Sequence, residues 1–188
     1  MKLSAARAAL FVVDIQERLV PAMPDEAMQR VVKHGQILIQ AARVLGLPIV
    51  VSQQYPKGLG ATIAPIEEAL ASSGGAATVH RFDKLEFSAA RAPGFLALAP
   101  KLGRDQWIVC GMETHVCVLQ SALELAAAGY ETHVVADAAS SRRVESHRIA
   151  LERLRSSGIT IVTTEMVVFE WLRRAGTAEF RDLLTLIK

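Results

Sequence analysis

The 188-residue chain is 51% hydrophobic and nearly charge-balanced, with 21 Lys and Arg against 19 Asp and Glu, a net charge of +2. That length and apolar content suit one domain, residues 1–188, with a substantial core, and they exclude a disordered chain. The small, dispersed charge, with only Arg142–Arg143 and Arg173–Arg174 as basic pairs, argues against nucleic-acid and membrane-surface partners, and no apolar run approaches a membrane span.

In chain order, Ala8–Val13 is a continuous apolar run suited to a strand buried on both faces, and it ends on Asp14. A helix is expected from near Asp25, read as its N-cap after Pro24, with Met28, Val32, Leu38, Ala42 and Leu45 along one side and Gly46 and Pro48 as the stop. Ile49–Ser52 reads as a second buried strand. The following loop contains Lys57-Gly58-Leu59-Gly60, which lacks the spacing of a phosphate-binding loop, and leads to a short helix around Pro65–Leu70. Ala77–Arg81 is a weaker third strand with Lys84 in the loop beyond it, and Pro93–Leu102 is a helix ending near Gly103.

The densest stretch is 106–137. It reads as a strand over Gln106–Cys110, a turn over Gly111–Thr114, a helix from about His115 to Ala128 stopped by Gly129, and a fifth strand at Thr132–Ala136. Val144–Ser156 is an amphipathic helix, Ile159–Thr163 the sixth strand, and helical segments over Glu165–Arg174 and Ala178–Ile187 finish the chain. The apolar Met166–Trp171 segment suits a subunit contact, or simply a helix that covers the sheet.

Alternating strands and helices predict an α/β fold, a three-layer α/β/α sandwich around a six-stranded parallel sheet with right-handed crossovers. In the order 3-2-1-4-5-6 the ligand crevice lies between strands 1 and 4. Asp14 leaves strand 1, Cys117 follows strand 4, and Lys84 follows strand 3 at the same edge. A thiol in the first turn of a helix is favoured as thiolate, although a buried cysteine also serves as a small hydrophobe. With Asp14 as base and Lys84 as cation, the trio suits covalent attack of Cys117 on a carbonyl.

The segments VVDIQERL (12–19), KLEFSA (84–89), GMETHVCV (111–118) and VVADAASSR (134–142) resemble the isochorismatase-like cysteine hydrolases, a superfamily that includes nicotinamidases, N-carbamoylsarcosine amidohydrolases and isochorismatases. The likeness runs from about Ala9 to Val168, and the loop Gln54–Gly60 most resembles the isochorismatase-domain-containing subgroup. The resemblance implies a triad of Asp14, Lys84 and Cys117, with a non-proline cis peptide at Met112–Glu113 that aims the Glu113 N–H, beside that of Cys117, into an oxyanion hole. Gln16 is expected to support the site, and Leu19, Tyr55, Phe87 and Thr114 to line the substrate pocket or, equally, to be ordinary core.

Nicotinamidases carry an Asp-x-His metal motif after strand 2, where this chain reads Gln53-Gln54-Tyr55, so no catalytic metal and no cofactor are expected. The five histidines, His34, His80, His115, His133 and His147, show no ligand spacing. Isochorismatases that cleave a vinyl ether work through the aspartate, so retention of Cys117 favours an amide or ureide C–N bond in a small molecule. Vinyl-ether hydrolysis, Cys110–Cys117 redox chemistry and a non-catalytic binding module are the alternatives. Two cysteines and no signal-peptide pattern point to a cytoplasmic protein, and a homo-oligomer, dimer or higher, is expected.

Overall fold

The computed structural model describes residues 2–72 and 75–187. Six strands form one parallel sheet in the order β3-β2-β1-β4-β5-β6: β1 (Ala8–Val13), β2 (Ile49–Gln54), β3 (Val79–Lys84), β4 (Gln106–Met112), β5 (Glu131–Ser140) and β6 (Thr160–Val162). Every residue of β1 and β4 is buried, which explains their unbroken apolar runs: each has neighbours on both sides and helices over both faces. This is the fold class and strand order read from the sequence.

The helices are α1 (Asp25–Val44), the short α2 (Pro56–Leu59), α3 (Ala64–Ala71), α4 (Pro93–Leu102), α5 (Leu119–Ala127), α6 (Val144–Ser156), α7 (Thr164–Leu172) and α8 (Ala178–Ile187). Two apolar cores flank the sheet. One joins the faces of α1, α3, α7 and α8 to Leu10, Val12, Ile49 and Ile108. The other is aromatic: Phe11 stacks on Phe95 at 5.3 Å and Phe95 meets Trp107 at 4.9 Å, beneath α4 and α5.

Several boundaries differ from expectation. Pro24 occupies the N-cap position in extended backbone and Asp25 is the first helical residue, because no side chain caps this end and the Pro24 carbonyl takes the Met28 N–H at 2.9 Å. β3 runs on to Lys84, since pairing continues between Gln53 and Asp83 and between Gln54 and Lys84 after the apolar pattern has ended. Lys84 is therefore the last strand residue and not part of the loop. β4 extends two residues to Met112, and α5 begins only at Leu119, preceded by a π-helical turn over Thr114–Val118. β5 reaches Ser140 by slipping register: Val109 faces Val134, but Gly111 faces Ala139.

Candidate active site

β1, the strand at which the order turns, delivers Asp14 from its buried end. Asp14 is fully buried and holds φ of 50°, a left-handed conformation that turns the chain sharply out of the sheet. Its Oδ1 accepts a 2.7 Å hydrogen bond from the Ser52 hydroxyl, and its Oδ2 lies 2.7 Å from Lys84 Nζ. Both side chains of that ion pair are completely buried, so the pair is held by its surroundings and hardly screened by water. Gly111, facing Val13, lets β4 lie close against the end of β1: a Cβ there would stand 2.0 Å from the Val13 carbonyl oxygen.

Lys84 Nζ also donates to Gln54 Oε1 at 2.6 Å and to the carbonyls of Glu86 and Phe87 at 3.2 and 3.3 Å. The Cys117 Sγ faces the same Gln54 Oε1 at 4.0 Å. Cys117 is 7% exposed and Lys84 3%, so the three groups meet in a nearly closed crevice. Burial pushes the Cys117 thiol up to about 12; the Asp14 charge adds to the rise and the Lys84 charge opposes it. The resting group is therefore a thiol, not the thiolate that a helix start was expected to favour. The physical reason is that Cys117 sits in the π-helical turn, where the Glu113 carbonyl takes the N–H groups of both Val116 and Val118, and the low-dielectric crevice beside a carboxylate outweighs the local dipole.

Gln16 is fully buried and spent on scaffolding. Its Nε2 donates to the carbonyls of Gln54 and Gly60 at 3.1 and 2.7 Å, and its Oε1 accepts the Gln54 N–H at 2.8 Å. It thus fixes the backbone of the residue that bridges Lys84 and Cys117. Of the expected pocket residues, Tyr55 and Phe87 are exposed, and their backbones meet Lys84: the Tyr55 N–H donates to the Lys84 carbonyl and the Phe87 carbonyl accepts from Lys84 Nζ. Leu19 packs, partly buried, against the core, and the buried Thr114 turns its hydroxyl to His147 Nδ1 at 2.9 Å. The Met112–Glu113 peptide is cis, and the Glu113 carboxylate is engaged by Arg142.

Ser52 and Gln54 were not singled out in the sequence. The available signal was two polar residues at alternate positions in the buried end of a strand, whose partners had to lie in the crevice.

The residues in the position of the nicotinamidase metal motif do not fit a divalent ion. Gln53 Oε1 accepts from the Thr62 N–H and hydroxyl while its Nε2 donates to Asp83, and among the described residues no cluster of three His, Cys, Asp or Glu is arranged to hold a metal. No helix among the described residues is long and apolar enough to cross a membrane.

The Isochorismatase domain model matches residues 8–166, which includes all three crevice residues. The zebrafish (Danio rerio) protein "Isochorismatase domain-containing protein 1" is 40% identical over 186 residues, 99% of this chain, which spans 62% of that relative's length. The "Secreted isochorismatase effector Isc1" of Phytophthora sojae is 39% identical over 95% of this chain and 83% of its own. Among solved structures, the "MAR1 Ribonuclease" of Caenorhabditis elegans superposes with a TM-score of 0.89 at 32% identity, covering 100% of this chain and 92% of the other. The match spans the sheet, the crevice and the Cys117 turn together, and the chain belongs to the isochorismatase family.

Proposed function

We propose that the chain is a cysteine hydrolase that cleaves an amide or ureide C–N bond in a small carbonyl compound, without a metal. The observation that carries this reading is the fully buried Asp14–Lys84 pair, 2.7 Å apart, with the Cys117 sulfur facing the same Gln54 Oε1 that Lys84 engages. A carboxylate beside a protonated thiol can act as its base when a substrate arrives.

Attack and deprotonation then occur together. The Cys117 proton passes to Asp14 as the Sγ–C bond forms, and the carbonyl oxygen becomes an oxyanion held by the N–H groups of Glu113 and Cys117. The C–N bond breaks as the leaving nitrogen takes the proton from Asp14. Water, losing its proton to Asp14, adds to the thioester; the C–S bond breaks and the proton returns to sulfur. Lys84 stays paired with Asp14 and holds it in place as the proton comes and goes, and Gln54 aligns Lys84 with the sulfur.

The burial of the trio, with Asp14 at 0%, Lys84 at 3% and Cys117 at 7% exposure, favours a small molecule over a polynucleotide. The ribonuclease name therefore stays with the worm protein.

The test is a panel of small amides and ureides, assayed for amine or ammonia release with and without chelator and alongside an RNA substrate. Turnover that falls at least about 1,000-fold in Cys117→Ala and Asp14→Asn, and ignores chelator, is expected when a nucleophile or its base is removed. Full activity in Cys117→Ala with loss in Asp14→Asn would replace this mechanism by aspartate-only vinyl-ether chemistry.

A further inference from the structure

The chain from Ala136 into the start of α6 takes no part in the proposed chemistry, yet it is tied at three points to the residues that lead into Cys117. The Glu113 carboxylate, 6% exposed, accepts from the Arg142 backbone N–H at 3.2 Å and from Arg142 Nε at 3.0 and 3.1 Å. The buried Ser141 hydroxyl accepts the His115 N–H at 3.3 Å and meets His115 Nδ1 at 3.0 Å. Thr114 Oγ1 meets His147 Nδ1, at the start of α6, at 2.9 Å. Glu113, Thr114 and His115, consecutive residues at the head of the Cys117 turn, are thus each fastened to the segment that leaves β5.

That segment is itself anchored. In the register slip, β4 advances two residues from Val109 to Gly111 while β5 advances five, from Val134 to Ala139. Within the extra length, Asp137 Oδ1 accepts the N–H and the hydroxyl of Thr164, both at 2.9 Å, which pins the bulge to the first turn of α7. Beyond it, Ala139 and Ser140 pair again with Gly111 and Met112, so Ser141 and Arg142 emerge directly beside the turn. A buried carboxylate without its cation would draw in water or a proton, and either would move the backbone that bears it.

We propose that Arg142 is a positioning residue: by gripping the buried Glu113 carboxylate it holds the turn that places the Cys117 sulfur and the N–H groups of Glu113 and Cys117 for acylation. This rests on the reading of Cys117 as the nucleophile. Arg142 acts through Glu113 and does not touch the substrate. The competing role is direct capture of an anionic substrate in the adjoining cleft of about 190 Å³ lined by His115, Arg142, Arg143 and Ser146.

The experiment measures the acylation burst with p-nitrophenyl acetate, read as p-nitrophenolate release and as acyl-enzyme by intact mass. The proteins are wild type, Cys117→Ala, Arg142→Ala, Arg142→Lys, Glu113→Gln and the double variant Glu113→Gln/Arg142→Ala. Arg142→Ala is expected to lower the limiting acylation rate about 10- to 100-fold, the cost of a misplacement of about 1 Å, with little change in half-saturating concentration, and Arg142→Lys to recover part of it. In the Glu113→Gln background the same arginine deletion is expected to cost far less, because no buried charge is left unpaired. The double variant also guards against misfolding of the single one, since it lacks the orphaned carboxylate.

An unchanged rate in Arg142→Ala, or an equal loss with and without the Glu113 charge, overturns the proposal; the second result would point to the substrate-capture role. A burst that survives in Cys117→Ala overturns the nucleophile reading and the positioning role with it. A burst lost in Cys117→Ala but intact in Arg142→Ala overturns the positioning role alone.

Discussion

Asp14 and Cys117 show how burial reverses a simple electrostatic expectation. A cation 2.7 Å from Asp14 would by itself help an adjacent thiol to ionise, yet desolvation and the Asp14 charge together prevail and raise the thiol to about 12. Alkylation by iodoacetamide, which consumes thiolate, is therefore expected to climb about tenfold per pH unit from about pH 7 to 10 without levelling. Asp14→Asn removes a charge that holds the proton on sulfur, so its curve moves to lower pH and labelling at about pH 8 speeds up, even as amide turnover is lost. Lys84→Ala moves the curve the other way. A plateau below about pH 9 in the wild type, or slower labelling of Asp14→Asn at every pH, would refute this account. The convergence of Asp14, Lys84 and Cys117 was legible in the sequence because each lies at or just beyond a strand end, and strand ends on one edge of a parallel sheet converge. Their connections were not: that Gln54 Oε1 serves both Lys84 and Cys117, and that Gln16 fixes the Gln54 backbone, depends on register between strands 30 or more residues apart.

At the scale of elements, strand existence and order followed from long apolar runs, while ends failed wherever pairing outlasted apolarity. β3 is an edge strand whose last residues, Asp83 and Lys84, are polar, and only their partners Gln53 and Gln54 on β2 keep them in the sheet. β5 continues through Ala136–Ser140, small residues with no alternation to signal a strand, because its bulge is secured from outside by Thr164 and His34, the latter 3.5 Å from Asp137. The π-helical turn before α5 was equally hidden: its sequence suits an α-helix, and what widens it is the double acceptance by the Glu113 carbonyl. Each of these departures lies at the carboxyl edge of the sheet, next to the crevice. Local rules give way there because tertiary bonds to the site override them.

For the whole molecule, α7 turns Val167, Val168, Trp171 and Leu172 to the core, as a helix covering the sheet should, and leaves Met166 and Phe169 outward at 53% and 41% exposure. Acid tests the opposite end of the sheet. His133, on β5, is 1% exposed and neither ring nitrogen has a hydrogen-bond partner; Glu131 Oε1 is 3.7 Å from Nε2. Burial lowers the His133 pKa below its ordinary 6.5, with Glu131 and Glu170 opposing the shift incompletely, and burial likewise lowers that of His147, with Arg30 adding to the effect. Above about pH 7 neither the folded nor the unfolded chain protonates these rings, so they leave stability unchanged. Below 6.5 the unfolded chain takes up protons that the folded chain refuses, so stability falls with pH, by at most about 1.4 kcal/mol per pH unit for each histidine. Urea unfolding between about pH 7.5 and 5.5 reads this slope, and His133→Leu is expected to flatten it by up to one proton while placing an apolar side chain in an apolar strand. A wild-type stability that holds or rises over that interval, or a slope that His133→Leu leaves intact, would mean that β5 accommodates the charged ring after all.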